Sequence, residues 1–275
     1  REAAYSVTDG MWNTAIGDQA LYSTTTGTLN TAIGGRALYN NTTGSSAVAV
    51  GWTALYKLDG GERNTAVGMS ALYENVTGND NTAVGHQSLA DTTGRDNTGV
   101  GSLSLAFNTS GEANTAIGRY AMYNNTTGGY NAALGANALQ ANESGYDNTA
   151  VGNAALYNNT TGGGNTAIGS NAMGSAGTSG NNNTAIGYNA GYSVEGDKNV
   201  FLGYEAGRNE TGSNKLYISN DSSTNLLYGD FSTGDLSLGQ TQGTVSVLNA
   251  LSVAGDLSLN GGTLANSGGT FSWNG

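Results

Sequence analysis

Asn13-Thr14-Ala15-Ile16-Gly17 decides the fold, because the same five residues return as Asn30-Thr31-Ala32-Ile33-Gly34 and then, with small changes, down most of the chain. The closing glycine stands at positions 17, 34, 51, 68, 85, 101, 118, 135, 152, 169, 187 and 203, a spacing of 17 residues with single-residue slips. Directly before it the residue is always apolar: Ile16, Ile33, Val50, Val67, Val84, Val100, Ile117, Leu134, Val151, Ile168, Ile186 and Leu202. A column without exception predicts burial. Four residues before the glycine stands Asn in eleven of twelve copies, with Ala47 as the exception.

After the glycine comes Ala-Leu-Tyr in many copies, as in Ala20-Leu21-Tyr22 and Ala155-Leu156-Tyr157, and then a second turn resembling Asn-Thr-Thr-Gly. The repeat reads as strand, short turn, short strand, turn. Seventeen residues are too few for two helices and a loop, and the Thr-x-Ile/Val alternation is that of a strand. Internal repetition at a short fixed period is the mark of a solenoid. Twelve coils stacked at the ~4.8 Å spacing of paired strands give a rod of roughly 55 to 60 Å. Stacking places identical side chains above one another, so the Asn column can share amide hydrogen bonds from coil to coil. One coil buries too little apolar surface to offset the entropy of ordering its residues, so burial between chains is expected to add to stability.

Composition agrees with this reading. The chain has 275 residues with 45 Gly, no Pro and no Cys, and only 11% are charged, against about 25% in an ordinary soluble domain. Hydrophobic residues make up 37%, more than a disordered segment of low hydrophobicity and high charge carries. Absence of Pro suits a backbone whose N–H groups are needed in ladders. The net charge of −11 with scattered Lys and Arg argues against nucleic acid as a partner. No run of 18 apolar residues exists, so membrane insertion by a helix is not expected. The chain opens at Arg1 and stops at Gly275 in mid-pattern, which fits a processed product or a fragment.

Ser46-Ala47-Val48-Ala49-Val50-Gly51, beside the Thr-Ala-Ile-Gly of its neighbours, resembles the Val-Ala-Ile-Gly repeat of trimeric autotransporter adhesin heads. That resemblance implies a left-handed parallel β-roll, three of which pack into a homotrimer, although the period here is longer than that family's. Residues 183 to 204, with Asn-Thr-Ala-Ile-Gly-Tyr-Asn-Ala-Gly-Tyr and later Asn-Val-Phe-Leu-Gly-Tyr, resemble the repeats of phage-type tail-fibre proteins and related bacterial surface fibres. The resemblance covers about residues 12 to 230. It implies an extracellular fibre on a cell surface or virion, and says little about the ligand.

The expected architecture is therefore all-β: a parallel β-roll over residues 1–212, followed by a β connector and a shaft or tip over 213–275. Past Gly212 the register ends in Asn214-Lys215-Leu216-Tyr217-Ile218 and Tyr228-Gly229-Asp230-Phe231. In the tail-fibre family a similar Tyr-Gly-Asp-Phe segment precedes a self-cleaving trimerisation chaperone, and no such chaperone is present in this sequence. Residues 245–259 place apolar side chains mostly at every second position, as short strands about a three-fold axis would. Phe271 and Trp273 close the chain and are candidate ligand contacts if exposed, against the alternative that they pack at the trimer axis.

Enzymatic chemistry is not expected. One His, no Cys and no recurring carboxylate pair leave acid–base, nucleophilic and zinc constellations short of members, so no catalytic residue, cofactor or metal site is assigned. The Gly-Gly-x-Gly-x-Asp signature of calcium-binding rolls is absent, and Gly35-Arg36 is followed by no phosphate-loop signature. His86 falls at a variable surface position. The Tyr column (Tyr22, Tyr39, Tyr56, Tyr73, Tyr123, Tyr157, Tyr192) could hold sugar rings, but gaps at Ala90, Ala106, Gln140 and Gly174 suit packing better. The Thr column is like that of some ice-binding solenoids, but its phase with Ile and Val places it inward or in a trimer seam. Sequons such as Asn41-Thr42-Thr43 matter only in a glycosylating host. The function that follows is a structural and adhesive fibre, a homotrimeric rod presenting a tip to a cell-surface glycan or protein. The alternatives are a phage tail fibre and the non-catalytic part of a polysaccharide-processing spike.

Overall fold

The structure, a computed structural model, describes residues 2–175 and 179–239. The expected strands of 245–259 and the candidate contacts Phe271 and Trp273 lie outside the described residues. Twelve three-residue strands, from β1 (Thr14–Ile16) to β12 (Val200–Leu202), pair in parallel, each with the next in sequence. The chain is a parallel β-solenoid of one coil per repeat, and among the described residues there is no helix. Register is kept down the stack, with Thr14 opposite Thr31, Ala15 opposite Ala32 and Ile16 opposite Ile33. The slips in spacing do not disturb it. They fall in the second turn, where Gly85 to Gly94 spans nine residues against ten from Gly68 to Gly78, while Thr82 still faces Thr98.

The interior is narrower than the sequence suggests. Side chains alternate across a strand, and it is the central residue that points in: Ala32, Ala49, Ala66, Ala116 and Ala185 are fully buried. The Ile/Val column expected in the core faces outward, with Ile16 57%, Ile33 38%, Ile117 40% and Leu134 49% exposed. Thr14, Thr31 and their equivalents share that outer face, so they do not point inward. The correction has a simple cause. The opposite wall is one coil-width away, and only an alanine fits between it and the strand.

That opposite wall is the Ala-Leu-Tyr segment, and it is not a β-strand. Ala20 and Leu21 are both fully buried although adjacent, which the alternation of a strand forbids. The backbone here alternates in hand: φ is 56° at Gln19 and 52° at Leu21, with Ala20 between them in the negative-φ region, and the same holds for Arg36 and Leu38. Hydrogen bonds still run from coil to coil, Leu21 N–H to Ala37 C=O at 3.0 Å and Arg36 N–H to Asp18 C=O at 2.8 Å. The column of buried Leu21, Leu38, Leu55, Leu72, Leu89, Leu105, Met122, Leu139, Leu156 and Met173 forms the spine of the core.

The closing glycines are required by geometry. At Gly17 φ is 130°, and a Cβ would lie 2.6 Å from the carbonyl oxygen of Gly34 in the next coil. Such a backbone is open to glycine alone.

At its C-terminal end the sheet changes direction. Strand β13 (Lys215–Ser219) still pairs in parallel with β12, then β14 (Asn225–Asp230) and β15 (Asp235–Leu238) fold back antiparallel. Phe201 takes the place of the small strand residue in the last coil, where its ring is fully buried. Room is made by glycine at both neighbouring positions of the Leu column: a Cβ on Gly191 would lie 2.5 Å from the Phe201 ring, and one on Gly207 would clash with it as well.

Candidate functional site

Every side chain that could act on a partner sits on one of the outward columns, and the inward polar columns are closed on themselves. The Asn that opens each repeat is buried and does structural work. Asn114 accepts the Asn131 backbone N–H on its Oδ1 (3.1 Å) and donates from Nδ2 to the Gly128 carbonyl (2.8 Å), tying its coil to the next. The expected amide ladder is present. A second ladder, not anticipated from the sequence, runs through the other turn: Asn125 Nδ2 donates to Asn108 Oδ1 and Asn142 Nδ2 to Asn125 Oδ1, both at 2.6 Å. Each of these also donates to the glycine carbonyl three residues on, as Asn125 does to Gly128 at 2.9 Å. The signal in the sequence was the recurring Asn of Asn-Thr-Thr-Gly.

The exception to the first ladder explains an exception to the second. Asn30 and Asn41 both bond the Gly44 carbonyl. In the next coil Ala47 and Leu58 hold those two places and are fully buried. Two amides are exchanged together for two apolar groups, which leaves fewer orphans than losing one. The residual orphan is Asn41 Oδ1, whose donor in the following coil would be the residue now occupied by Leu58. The sequon Asn41-Thr42-Thr43 accordingly has its asparagine inside the wall.

The Tyr column is a packed stack. Tyr5, Tyr22, Tyr39, Tyr56 and Tyr73 lie face to face with centroids 5.1 to 5.3 Å apart and planes within 4° to 9° of parallel. Ring faces that would hold a sugar are spent on each other. Burial pushes the Tyr22 phenol above its ordinary pKa, with the Glu2 carboxylate adding to the shift. Past the gaps at Ala90 and Ala106 the column resumes at Tyr123, which meets Phe107 edge-on at 4.8 Å.

His86 is exposed. No group of three or more metal-ligating side chains occurs among the described residues. Ion pairs bridge adjacent coils on the outside, Lys57 with Glu74 at 2.6 Å and Arg63 with Asp80 at 2.6 Å. Bonding to Arg63 holds the Asp80 carboxyl below its usual range. Such exposed pairs add little to stability.

What remains is the outer strand face. Thr14, Thr31, Val48, Thr65, Thr82, Thr98, Thr115, Ala132, Thr149, Thr166, Thr184 and Val200 lie beside the Ile/Val/Leu column, and none of these residues is charged. The fold thus defines a parallel β-solenoid carrying one uncharged, half-apolar strip along its strand face. No protein-family model, curated protein or solved structure matches the chain. In the described residues no helix is long and apolar enough to cross a membrane.

Proposed function

We propose that the chain is a structural and adhesive fibre segment: a stiff rod that associates with copies of itself along the outer strand face and carries contacts to a cell surface. The observation that carries this reading is the exposed Ile/Val column. Its members are mostly 37% to 57% exposed and run unbroken over twelve coils. A contiguous exposed apolar strip of this kind marks an interaction surface on a soluble protein. A second copy in the same orientation meets it with an identical ladder. Three copies around one axis are what the resemblance to trimeric adhesin heads implies, and repetition of weak contacts on three chains gives avidity. The extracellular setting and a glycan or protein partner rest on the same resemblance. A phage tail fibre would use the same rod.

The chain has no Cys, so single cysteines are clean reporters. Ile33→Cys, Ile117→Cys and Ile186→Cys are each expected to give inter-chain disulfides under mild oxidation, because parallel, in-register packing sets every position against itself. Cross-linking at Ile117 alone would indicate antiparallel pairing, and none at any site would overturn self-association through this face.

A further inference from the structure

Coils five and six break the repeat at several columns at once. Tyr is replaced by Ala90 and Ala106, and the turn Thr92-Thr93-Gly94 is one residue short. In the interior, Ser88 and Ser104 stand where other coils have Ala, and their hydroxyls bond each other at 2.8 Å. Gly99 stands in the Ala column, and a Cβ there would lie 2.6 Å from Ser88 Oγ. The core is thus adjusted to hold an altered wall.

Outside that wall lies a cavity of about 410 Å³ lined by Asp91, Phe107, Asn124, Thr109, Thr126 and Glu143. It is a groove along the rod axis. Asp91, Phe107 and Asn124 form one bank on successive coils, and Thr109, Thr126 and Glu143 form the other. In sequence the buried ladder of Asn108, Asn125 and Asn142 falls between the two banks. From the coil of Asp91 to that of Glu143 is three coil steps, about 14 Å at the spacing of paired strands.

We infer that this groove binds a short stretch of glycan bearing protonated amino groups, lying along the rod axis; the inference adds a ligand class to the adhesive reading above and rests on it. Phe107 is 43% exposed and presents an apolar ring surface. The polar rim is rich in acceptors. Thr109 Oγ1 donates to the Thr126 carbonyl and Thr126 Oγ1 to the Glu143 carbonyl, both at 2.8 Å, so these hydroxyls offer only lone pairs to a ligand. Neither the Asp91 nor the Glu143 carboxylate has a side-chain hydrogen bond or ion-pair partner among the described residues. By contrast, in the preceding coils the same bank is closed by the Lys57–Glu74 pair. A ligand that brings donors and positive charge satisfies both carboxylates, and an ammonium near an aromatic ring gains further. Partial burial, then the Glu74 carboxylate, raise the Asp91 pKa, against the opposing charge of Lys57. The groove shares no residue with the self-association strip.

The test is a calorimetric titration of the full chain at low ionic strength with the linear trimer of glucosamine, its N-acetylated form and the corresponding trimer of glucose. The amine trimer is expected to bind at least tenfold more tightly than the other two. Asp91→Asn and Glu143→Gln should each remove most of that preference, and Phe107→Ala should weaken all three sugars. All three positions are surface-facing, so unchanged thermal transitions would certify the fold. Equal binding of the three trimers, or amine binding that survives all three substitutions, would overturn the inference. Failure here with intact cysteine cross-linking leaves the fibre reading standing; the converse leaves the groove standing.

Discussion

Leucine at positions such as Leu21, Leu72 and Leu105 is chosen by the backbone as much as by the core. These residues have φ near +50°, at 52°, 53° and 50°, where a β-branched side chain is badly placed. The column holds Leu, Met or Gly and never Ile or Val, while the outward strand column holds Ile, Val and Leu. Among the described non-glycine residues with positive φ, Thr53 alone is β-branched. Leu72→Ile, which keeps volume and burial constant, is therefore expected to lower stability by about 1–2 kcal/mol through backbone strain. Ile117→Leu, the reverse volume-conserving exchange on the outer strand face, meets no positive φ and should cost less. Urea unfolding midpoints of the two variants measured side by side would decide this; equal losses would show that the alternating backbone is not what selects leucine. The same distinction was available in the sequence, since an inward column of Leu beside one free of β-branching differs from a second β-strand, but residue type was outweighed there by periodicity.

At the level of elements, period, register and the first Asn ladder were legible because each leaves one conserved-looking column every coil in the chain itself. Which side of the three-residue strand faces inward was not. Alternation fixes that Thr and Ile share a face, but not which face is the core, and the deciding fact is the width of the coil: an interior that admits Ala49 and Ala66 fully buried has no room for Ile. The groove running from Asp91 to Glu143 was missed for a related reason, since its signal lies in residues that depart from the repeat. The C-terminal hairpin has its own chemistry. Lys215 pairs with Asp230, and Tyr217 Oη donates to Glu210 Oε2 at 2.5 Å. Bonding to Lys215, aided by Ser232, holds the Asp230 carboxyl far below the usual range. A depressed carboxylate pKa contributes stability that is present above the unfolded value of about 3.9 and is lost as pH falls below it. Protection of the β13 and β14 amides, taken relative to their intrinsic exchange rates, should thus fall as the pH drops below about 4, before protection of the central coils does. Asp230→Asn should remove the acid step, and an unchanged step in that variant would assign it to other carboxylates.

On the scale of the whole molecule, the two glycine columns, the two amide ladders and the thin Ala–Leu core make a rod whose coils cannot stand alone, because each buries little and relies on its neighbours. The stack satisfies the interior, yet it leaves Ile33, Val67, Ile117, Ile168 and Leu202 between 37% and 43% exposed along one line, and the rest of the account turns on what covers them. Sedimentation equilibrium of the undenatured chain over a dilution series tests this most directly. A mass near three times 27.7 kDa is expected to persist to low concentration and to fall on Val84→Lys with Ile117→Lys, whereas a stable species of 27.7 kDa at every concentration would rule out the covered strand face.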